Sequence, residues 1–180
     1  ENVAKKFDIS RREQQDFAIS SHSKANSARE TNMFDKEVVS ITNNDQIINK
    51  DGGIRPNTSH EILDGLKLAF DENGTVTAGT ASPLTDGAAA VIVCEEEYAN
   101  KNNLNILARI KSTAVVGCPP ELMGLGPINA CKKALKRADL SIDDIDVVEL
   151  NEAFASQSLA CIRELSMDIG KVNIHGGAIA

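Results

Sequence analysis

An α/β fold is predicted for this chain of 180 residues, and three features of the sequence predict it. Val147-Val148-Glu149-Leu150, Glu152 to Leu165 and Val172-Asn173-Ile174 read in turn as strand, helix and strand. That order builds a parallel or mixed sheet with helices on its faces. Ala88 to Cys94 is a continuous apolar run, the pattern of a strand buried on both faces. Ile106 to Val116 alternates enough for a further strand.

The remaining elements follow from caps, periodicity and turn residues. The first third is polar and helical. Ser10-Arg11-Arg12-Glu13 has the spacing of a capping box, in which a hydroxyl and a carboxylate three residues later satisfy each other's backbone N–H groups. The helix it opens runs to about Arg29. Residues 35–58 are extended and turn-rich, with Asp51-Gly52-Gly53 as a turn. Ile62, Leu63, Leu66 and Ala69 recur at helical spacing and predict a helix over 59–69. Asp71-Glu72-Asn73-Gly74 is a tight turn before a short strand at Thr75-Val76-Thr77. The acids Glu95-Glu96-Glu97 close the apolar run and open a helical stretch to about Asn102. Gly117-Cys118-Pro119-Pro120 stops the strand at 106–116, and a helix follows from Ile128 to Ala138 with Ala130, Ala134, Leu135 and Ala138 on one side. Ser141-Ile142-Asp143-Asp144 is a cap-like turn, and no internal repeat is present.

Composition bounds the function. Hydrophobic residues make up 42%, charged residues 25% and aromatics only 3%, with no Trp and one Tyr, so the core must come from Ile, Val, Leu and Ala. A net charge of −7 argues against nucleic acid as a partner, since that affinity comes mainly from Lys and Arg on phosphate. Lys5, Lys6, Arg11 and Arg12 are the one candidate basic cluster, and a solvated helix face is the simpler account of it. No run of about 18 apolar residues occurs, so no membrane span is expected. Cys94, Cys118, Cys131 and Cys161 fit neither CxxC nor a zinc-ligand spacing. No metal site is assigned, and the thiols are expected to be reduced and mostly buried, as in the cytoplasm or an organelle matrix. Neither end reads as finished: Glu1-Asn2-Val3-Ala4 has no initiator Met, and Gly176 to Ala180 stops inside a turn. Both ends are expected to be cut.

Four segments can carry chemistry. Asn151, in Asn151-Glu152-Ala153-Phe154, sits past a strand and before a helix, where α/β sheets gather ligands. Its amide can hold a water or an oxygen, or it can cap the helix. Met123-Gly124-Leu125-Gly126-Pro127 permits close backbone approach before a helix but is no P-loop. Met123 is either a soft ligand wall or ordinary packing. Gly79 to Ala90 runs from small residues into the apolar run, and Ser82 can bond a ligand amide or stabilise its own loop. His175, before Gly176-Gly177, is a general base or a structural histidine.

Together, in this order, these segments resemble the thiolase family of acetyl-CoA acetyltransferases and 3-ketoacyl-CoA thiolases. Glu1 to Ala4 with Ser10 to Gln14 resembles the opening of that family's loop domain. Thr75 to Gly79, Asp86 to Ala90, Met123 to Pro127, Asp146 to Ala155 and Asn173 to Ala180 match in turn, so the resemblance spans essentially the whole chain. It implies two halves of like topology, each a mixed five-stranded sheet covered by helices, with a loop domain inserted in the first. By that pattern residues 1–84 resemble most of the loop domain, 85–104 the end of the N-terminal half and 105–180 the start of the C-terminal half. Only part of the fold is then present.

The activity implied is acyl transfer that forms or thiolytically cleaves 3-ketoacyl-CoA such as acetoacetyl-CoA. A cysteine takes the acyl group as a thioester, which stays reactive. A second cysteine moves protons, and a histidine in a Gly-His-Pro segment helps build an oxyanion hole. The family's nucleophile would lie before residue 1, Gly-His-Pro just after Ala180 and the second cysteine further on. None of the four cysteines, nor His175, takes those roles. Asn151 matches the asparagine that holds the oxyanion-hole water. Arg55 matches a residue beside the adenine, Ser82 the serine on the pantetheine, and Met123, Ala153 and Phe154 apolar walls near the pantetheine and acyl end. Thr80 and Pro83 depart from the family, which often has Asn and Gly there. The resemblance implies coenzyme A and acyl-CoA as substrates with no permanently bound cofactor. It also implies a homodimer or homotetramer, with a β-oxidation multienzyme complex as a further partner in some relatives. A non-catalytic, thiolase-like CoA-binding or assembly subunit is the alternative.

Overall fold

A computed structural model describes residues 1–180. Helix α1 (Asn2–Lys6) leads into the long helix α2 (Arg11–Glu30). The capping box is formed: Glu13 N–H donates to Ser10 Oγ at 3.2 Å and Ser10 N–H donates to Glu13 Oε2 at 2.8 Å. The Ser10 hydroxyl and N–H, then the Arg163 guanidinium, hold the Glu13 carboxyl at about 2. Of the four N-terminal cations, Arg11 has a structural task. Its guanidinium donates to the carbonyls of Leu63, Asp64 and Leu66 at 3.0, 3.1 and 2.8 Å. Those groups end helix α3 (His60–Asp64), where unpaired carbonyls and the negative end of the helix dipole favour a cation. Lys5, Lys6 and Arg12 are exposed, so the cluster is a helix face rather than an anion site.

Within the turn-rich segment lies a hairpin that the sequence reading did not resolve. Strands β1 (Ile41–Asn43) and β2 (Gln46–Ile48) pair antiparallel, with Ile41 opposite Ile48. Asn44 and Asp45 join them at φ 47° and 64°, the left-handed pair that a two-residue hairpin turn demands and that Asn and Asp tolerate. Helix α3 is shorter than predicted because Gly65 ends it, so Leu66 and Ala69 lie beyond it. Ala69 N–H instead donates to Val76 O at 2.9 Å, and the strand expected at 75–77 reduces to one antiparallel bridge, Leu68 to Thr77. The Glu1 carboxylate fixes that turn by accepting from Thr75 N and Val76 N at 3.0 and 2.8 Å.

The segment 88–94 forms no strand and is exposed along its length, not buried on both faces as its composition predicts. A doubly buried strand needs neighbours in its plane and helices on both faces, and no other segment of the chain lies there. Helix α4 (Glu96–Lys101) follows. Residues 106–116 likewise form no strand, and only Ser112, Ala114 and Val116 are partly buried. Ser112 Oγ donates to Ala134 O at 2.7 Å and Lys133 Nζ to Val115 O at 3.1 Å, tying this segment to helix α5 (Gly126–Ala138). Pro127 sits in the first turn of α5, and Asp139 ends it at φ 55°.

Helix α6 (Ala155–Glu164) is the centre of the molecule, with every residue from Ala155 to Ile162 buried. Three apolar clusters meet on it. Cys161 and Ile162 pack with Ile128, Leu150, Leu165, Met167 and Val172. Leu159 and Ala160 pack with Val3 and Ile9, and Ala155 packs with Ala18, Leu63 and Ile179. Phe17 of α2 touches all three. Burying one such Leu or Ile contributes about 1.5–3 kcal/mol, which is why α6 anchors everything around it. The strand–helix–strand unit is present as one parallel bridge, Val148 to Val172, flanking α6. The cysteines depart from expectation: all four are free, but only Cys161 is buried, while Cys94 and Cys118 are exposed. Cys94 ends the uncovered apolar run, and Cys118 lies in the Pro-bound loop before α5.

Candidate functional site

Asn151 lies where the Val148 strand gives way to α6. The capping reading fails, because α6 begins at Ala155, its N-cap is Phe154, and no side chain caps it. The Asn151 side chain is exposed, and it lines two clefts that meet there.

The first cleft, about 890 Å³, is walled by the end of α2, the loop around Gly52-Gly53-Ile54, Ser82-Pro83 and the run His175 to Ala178. The second, about 550 Å³, is lined by Met123, Ala153, Phe154 and Phe70 with Pro120 and Gly124. Five of the six residues singled out in the sequence therefore converge: Asn151 on both clefts, Ser82 on the first, and Met123, Ala153 and Phe154 on the second. The pairing of two distant segments explains the convergence. Ala81 and Phe154 form an antiparallel bridge, and Ser82 N–H donates to Ala153 O at 3.1 Å. The Ser82 hydroxyl also donates to Ala153 O, at 3.4 Å.

Arg55 is the exception. Its neighbour Ile54 lines the first cleft and Arg55 does not. Its guanidinium is exposed and donates to Gly53 O at 3.4 Å. Its backbone N–H is held by the buried His22, whose Nδ1 accepts at 3.2 Å. Burial, then the Arg55 charge, holds His22 below the ordinary histidine value of 6.5, against a smaller opposing pull from Glu152. A lowered histidine stabilises the fold fully above about 6.5, and that contribution is lost as pH falls toward the folded value, because the unfolded chain binds the proton more readily. Protonated Nδ1 cannot accept the Arg55 N–H. We therefore expect the exchange protection of the Arg55 amide in the full-length protein to drop when the pH is taken from 7.5 to well below 6.5, through the lowered His22 value. Amides in the middle of α6 should keep theirs, and equal protection of Arg55 at both pH values would count against the link.

His175 lines the first cleft with its ring edge-on to Phe34, centroids 5.7 Å apart. Two residues of the site escaped the sequence reading. Phe70 meets Phe154 edge-on at 5.9 Å and closes the second cleft. Its signal was faint, a Phe just beyond a helical pattern in a chain with five. Glu152, only 1% exposed, is a buried acid next in the chain to Asn151. Its Oε2 accepts from Ser21 Oγ at 2.7 Å and Ile179 N at 3.2 Å, and its Oε1 from Asn173 Nδ2 at 2.8 Å. No group of three or more His, Cys, Asp or Glu side chains is arranged to hold a metal ion. No helix is long and apolar enough to cross a membrane.

A strand–helix–strand unit with a free asparagine at the strand's end, and pairing that brings a serine loop and apolar side chains around it, places a polar amide where a polar cleft and a more apolar one share a wall. The chain belongs to the thiolase family: residues 1–97 match the model of the thiolase N-terminal domain and 104–180 that of the thiolase C-terminal domain. It is 50% identical to the 3-ketoacyl-CoA thiolase of Aliivibrio fischeri over 100% of its own length and 49% of that protein's. It is 46% identical to the acetyl-CoA acetyltransferase of Paracoccus denitrificans, covering 47% of that protein. Among solved structures, human mitochondrial 3-ketoacyl-CoA thiolase in complex with CoA superposes with a TM-score of 0.97 at 45% identity. That match covers 99% of this chain and 45% of the human one. The dimeric peroxisomal thiolase of Saccharomyces cerevisiae gives 0.95 at 45% identity, covering 99% and 46%. The architecture is that of a thiolase fold, and the chain spans about half the length of the curated relatives it matches.

Proposed function

We propose that the protein to which this chain belongs is an acyl-CoA acyltransferase that forms or thiolytically cleaves 3-ketoacyl-CoA. The observation that carries this is Asn151, whose amide is left free by the fold at the junction of the two clefts, inside the family's Asn-Glu-Ala-Phe. Breaking the bond between C2 and C3 of a 3-ketoacyl thioester leaves electrons on C2 that spread to the thioester oxygen as an enolate. A water fixed by Asn151 donates to that oxygen where charge develops, which is worth more than contacts made equally in the ground state. The cysteine that takes the acyl group as a thioester lies outside these 180 residues in this reading.

Ser82 bonds the pantetheine, and Met123, Ala153 and Phe154 wall its apolar stretch. Phe70 joins that wall. Arg55 reaches the adenine from the rim, consistent with its exposed guanidinium. Residues 1–84 then serve as most of the loop domain, 85–104 as the end of the N-terminal half and 105–180 as the start of the C-terminal half. Coenzyme A and acyl-CoA are the substrates, and no permanently bound cofactor is required. A homodimer or homotetramer is the assembly, since one relative is described as dimeric.

The test is thiolysis of acetoacetyl-CoA by the full-length protein, followed at the loss of the enolate absorbance. Turnover dependent on added coenzyme A supports the reading. Coenzyme A binding without turnover points instead to a non-catalytic binding subunit. The 180-residue chain on its own is expected to show no thiolysis, and measurable turnover by it, free of contaminating enzyme, would contradict the assignment of the nucleophile elsewhere.

A further inference from the structure

We propose that Glu152 is a positioning residue whose buried carboxylate locks the Asn151 turn, helix α2 and the glycine run into one body. This rests on the reading of Asn151 given above. Asn151 makes no side-chain hydrogen bond of its own, so its place is set by the residues on either side. Leu150 is held by Asn173, whose side-chain Oδ1 accepts from Leu150 N at 2.7 Å and whose Nδ2 donates to Leu150 O at 2.8 Å. Asn173 adopts φ 46°, and its amide continues the ladder begun by Val148 where the backbone turns away. Glu152 is held by the same Asn173 Nδ2, by the Ser21 hydroxyl and by Ile179 N–H.

The shell around the carboxylate contains no cation. None of the chain's ion pairs involves Glu152, and each named partner is a neutral donor with a direction. An acid buried this deeply costs free energy that only good hydrogen bonds offset, and a shell of neutral donors returns geometry rather than net charge pairing. The surroundings are shaped to admit it. A Cβ on Gly177 would meet Glu152 Cδ at 2.4 Å, and Gly177 N–H donates to Ser21 Oγ at 3.1 Å. Ser21 thus bridges the carboxylate and the glycine run. Through these bonds the acid fixes Asn151 relative to the segment around Ile179, and so relative to whatever follows it in the intact site. Misplacing such a group by about 1 Å can cost 10²-fold in rate with little change in binding.

The experiment compares full-length wild type with E152Q, S21A and the double variant. It reads kcat and KM for acetoacetyl-CoA and for coenzyme A, with the active fraction titrated by the acylation burst. Glutamine keeps the volume, but its Nε2 must face one of the donors, so E152Q displaces the turn. Expected are a kcat about 10–10²-fold lower with each KM within about twofold, a smaller kcat loss in S21A, and a double variant no worse than E152Q because both act through one clamp. Wild-type kcat in both single variants overturns the proposal. So do losses that vanish once the active fraction is counted, KM values that rise in step with the fall in kcat, or strictly additive losses. If E152Q does not fold, S21A decides alone by the same split between kcat and KM. A wild type with no thiolysis at all rejects the functional reading itself, and the proposal falls with it.

Discussion

Replacing Asn151 by alanine in the full-length protein is expected to lower kcat for thiolysis about 10²–10³-fold, the usual loss when one oxyanion donor is removed. KM for acetoacetyl-CoA should change little. The split follows from geometry, because the amide is exposed and makes no bond within the chain, so its loss costs neither packing nor a satisfied partner. Thermal stability should therefore stay at the wild-type value, which separates this variant from those that damage the fold. Asn151→Asp is the sharper form. It keeps the shape but sets a negative charge where the enolate develops, and should be at least as damaging. Ser82→Ala is the contrast, since a lost ground-state contact raises KM and leaves kcat nearly intact. A full-rate Asn151→Ala enzyme would remove the basis for the mechanism.

Gly176→Ala has the largest expected structural effect. Gly176 sits at φ +83°, and a Cβ there would meet Ala25 N, Ala25 Cβ and Ser21 O, each at 2.7 Å. Two of those atoms are backbone of α2 and cannot swing aside. The methyl group must push α2 off the glycine run, and with it Ser21 off Glu152. Overpacking of this kind costs about 1–3 kcal/mol, and a left-handed backbone without glycine adds about 1–2 kcal/mol. The sum is a large share of the stability of an ordinary domain. We expect the soluble yield of the full-length variant to collapse, or its melting temperature to fall well below wild type. Gly52→Ala is the matched control, because nothing lies within 4 Å of its Cβ. A Gly176→Ala protein as stable as that control would show that the approach of α2 is looser than described.

The elements fixed by local chemistry were legible in the sequence. The capping box at Ser10 and Glu13 placed the start of α2, and Pro127 with the apolar spacing after it placed α5. The strand–helix–strand order around α6 was readable because Val148, Val172 and the helix between them lie within 25 residues of one another. Elements that depend on distant partners were not. Ala88 to Cys94 has the composition of a covered strand, but composition records what a segment needs, not whether this chain supplies it. Helix α3 was overrun because Gly65 outweighed the spacing of Leu66 and Ala69. At the site, the motif residues Asn151, Ser82, Met123, Ala153 and Phe154 stood out through a family pattern. Glu152 stood beside Asn151 in that pattern and was passed over, because an acid in one dimension shows nothing of Ser21, Asn173 and Ile179 gathered around it. Phe70 needed the ring of Phe154 to make it a wall.

The exposed run Ala88 to Cys94 has a consequence for the chain as it is made. Six successive small or β-branched residues and a thiol, without charge or proline, form the kind of window that pairs edge to edge with another copy of itself. It is bounded by Asp86 on one side and by Glu95, Glu96 and Glu97 on the other. Those acids act as gatekeepers: stacking chains in register would bring three carboxylates on each strand against three on the next. The acidic start of α4 thus keeps an exposed apolar stretch apart from its own kind.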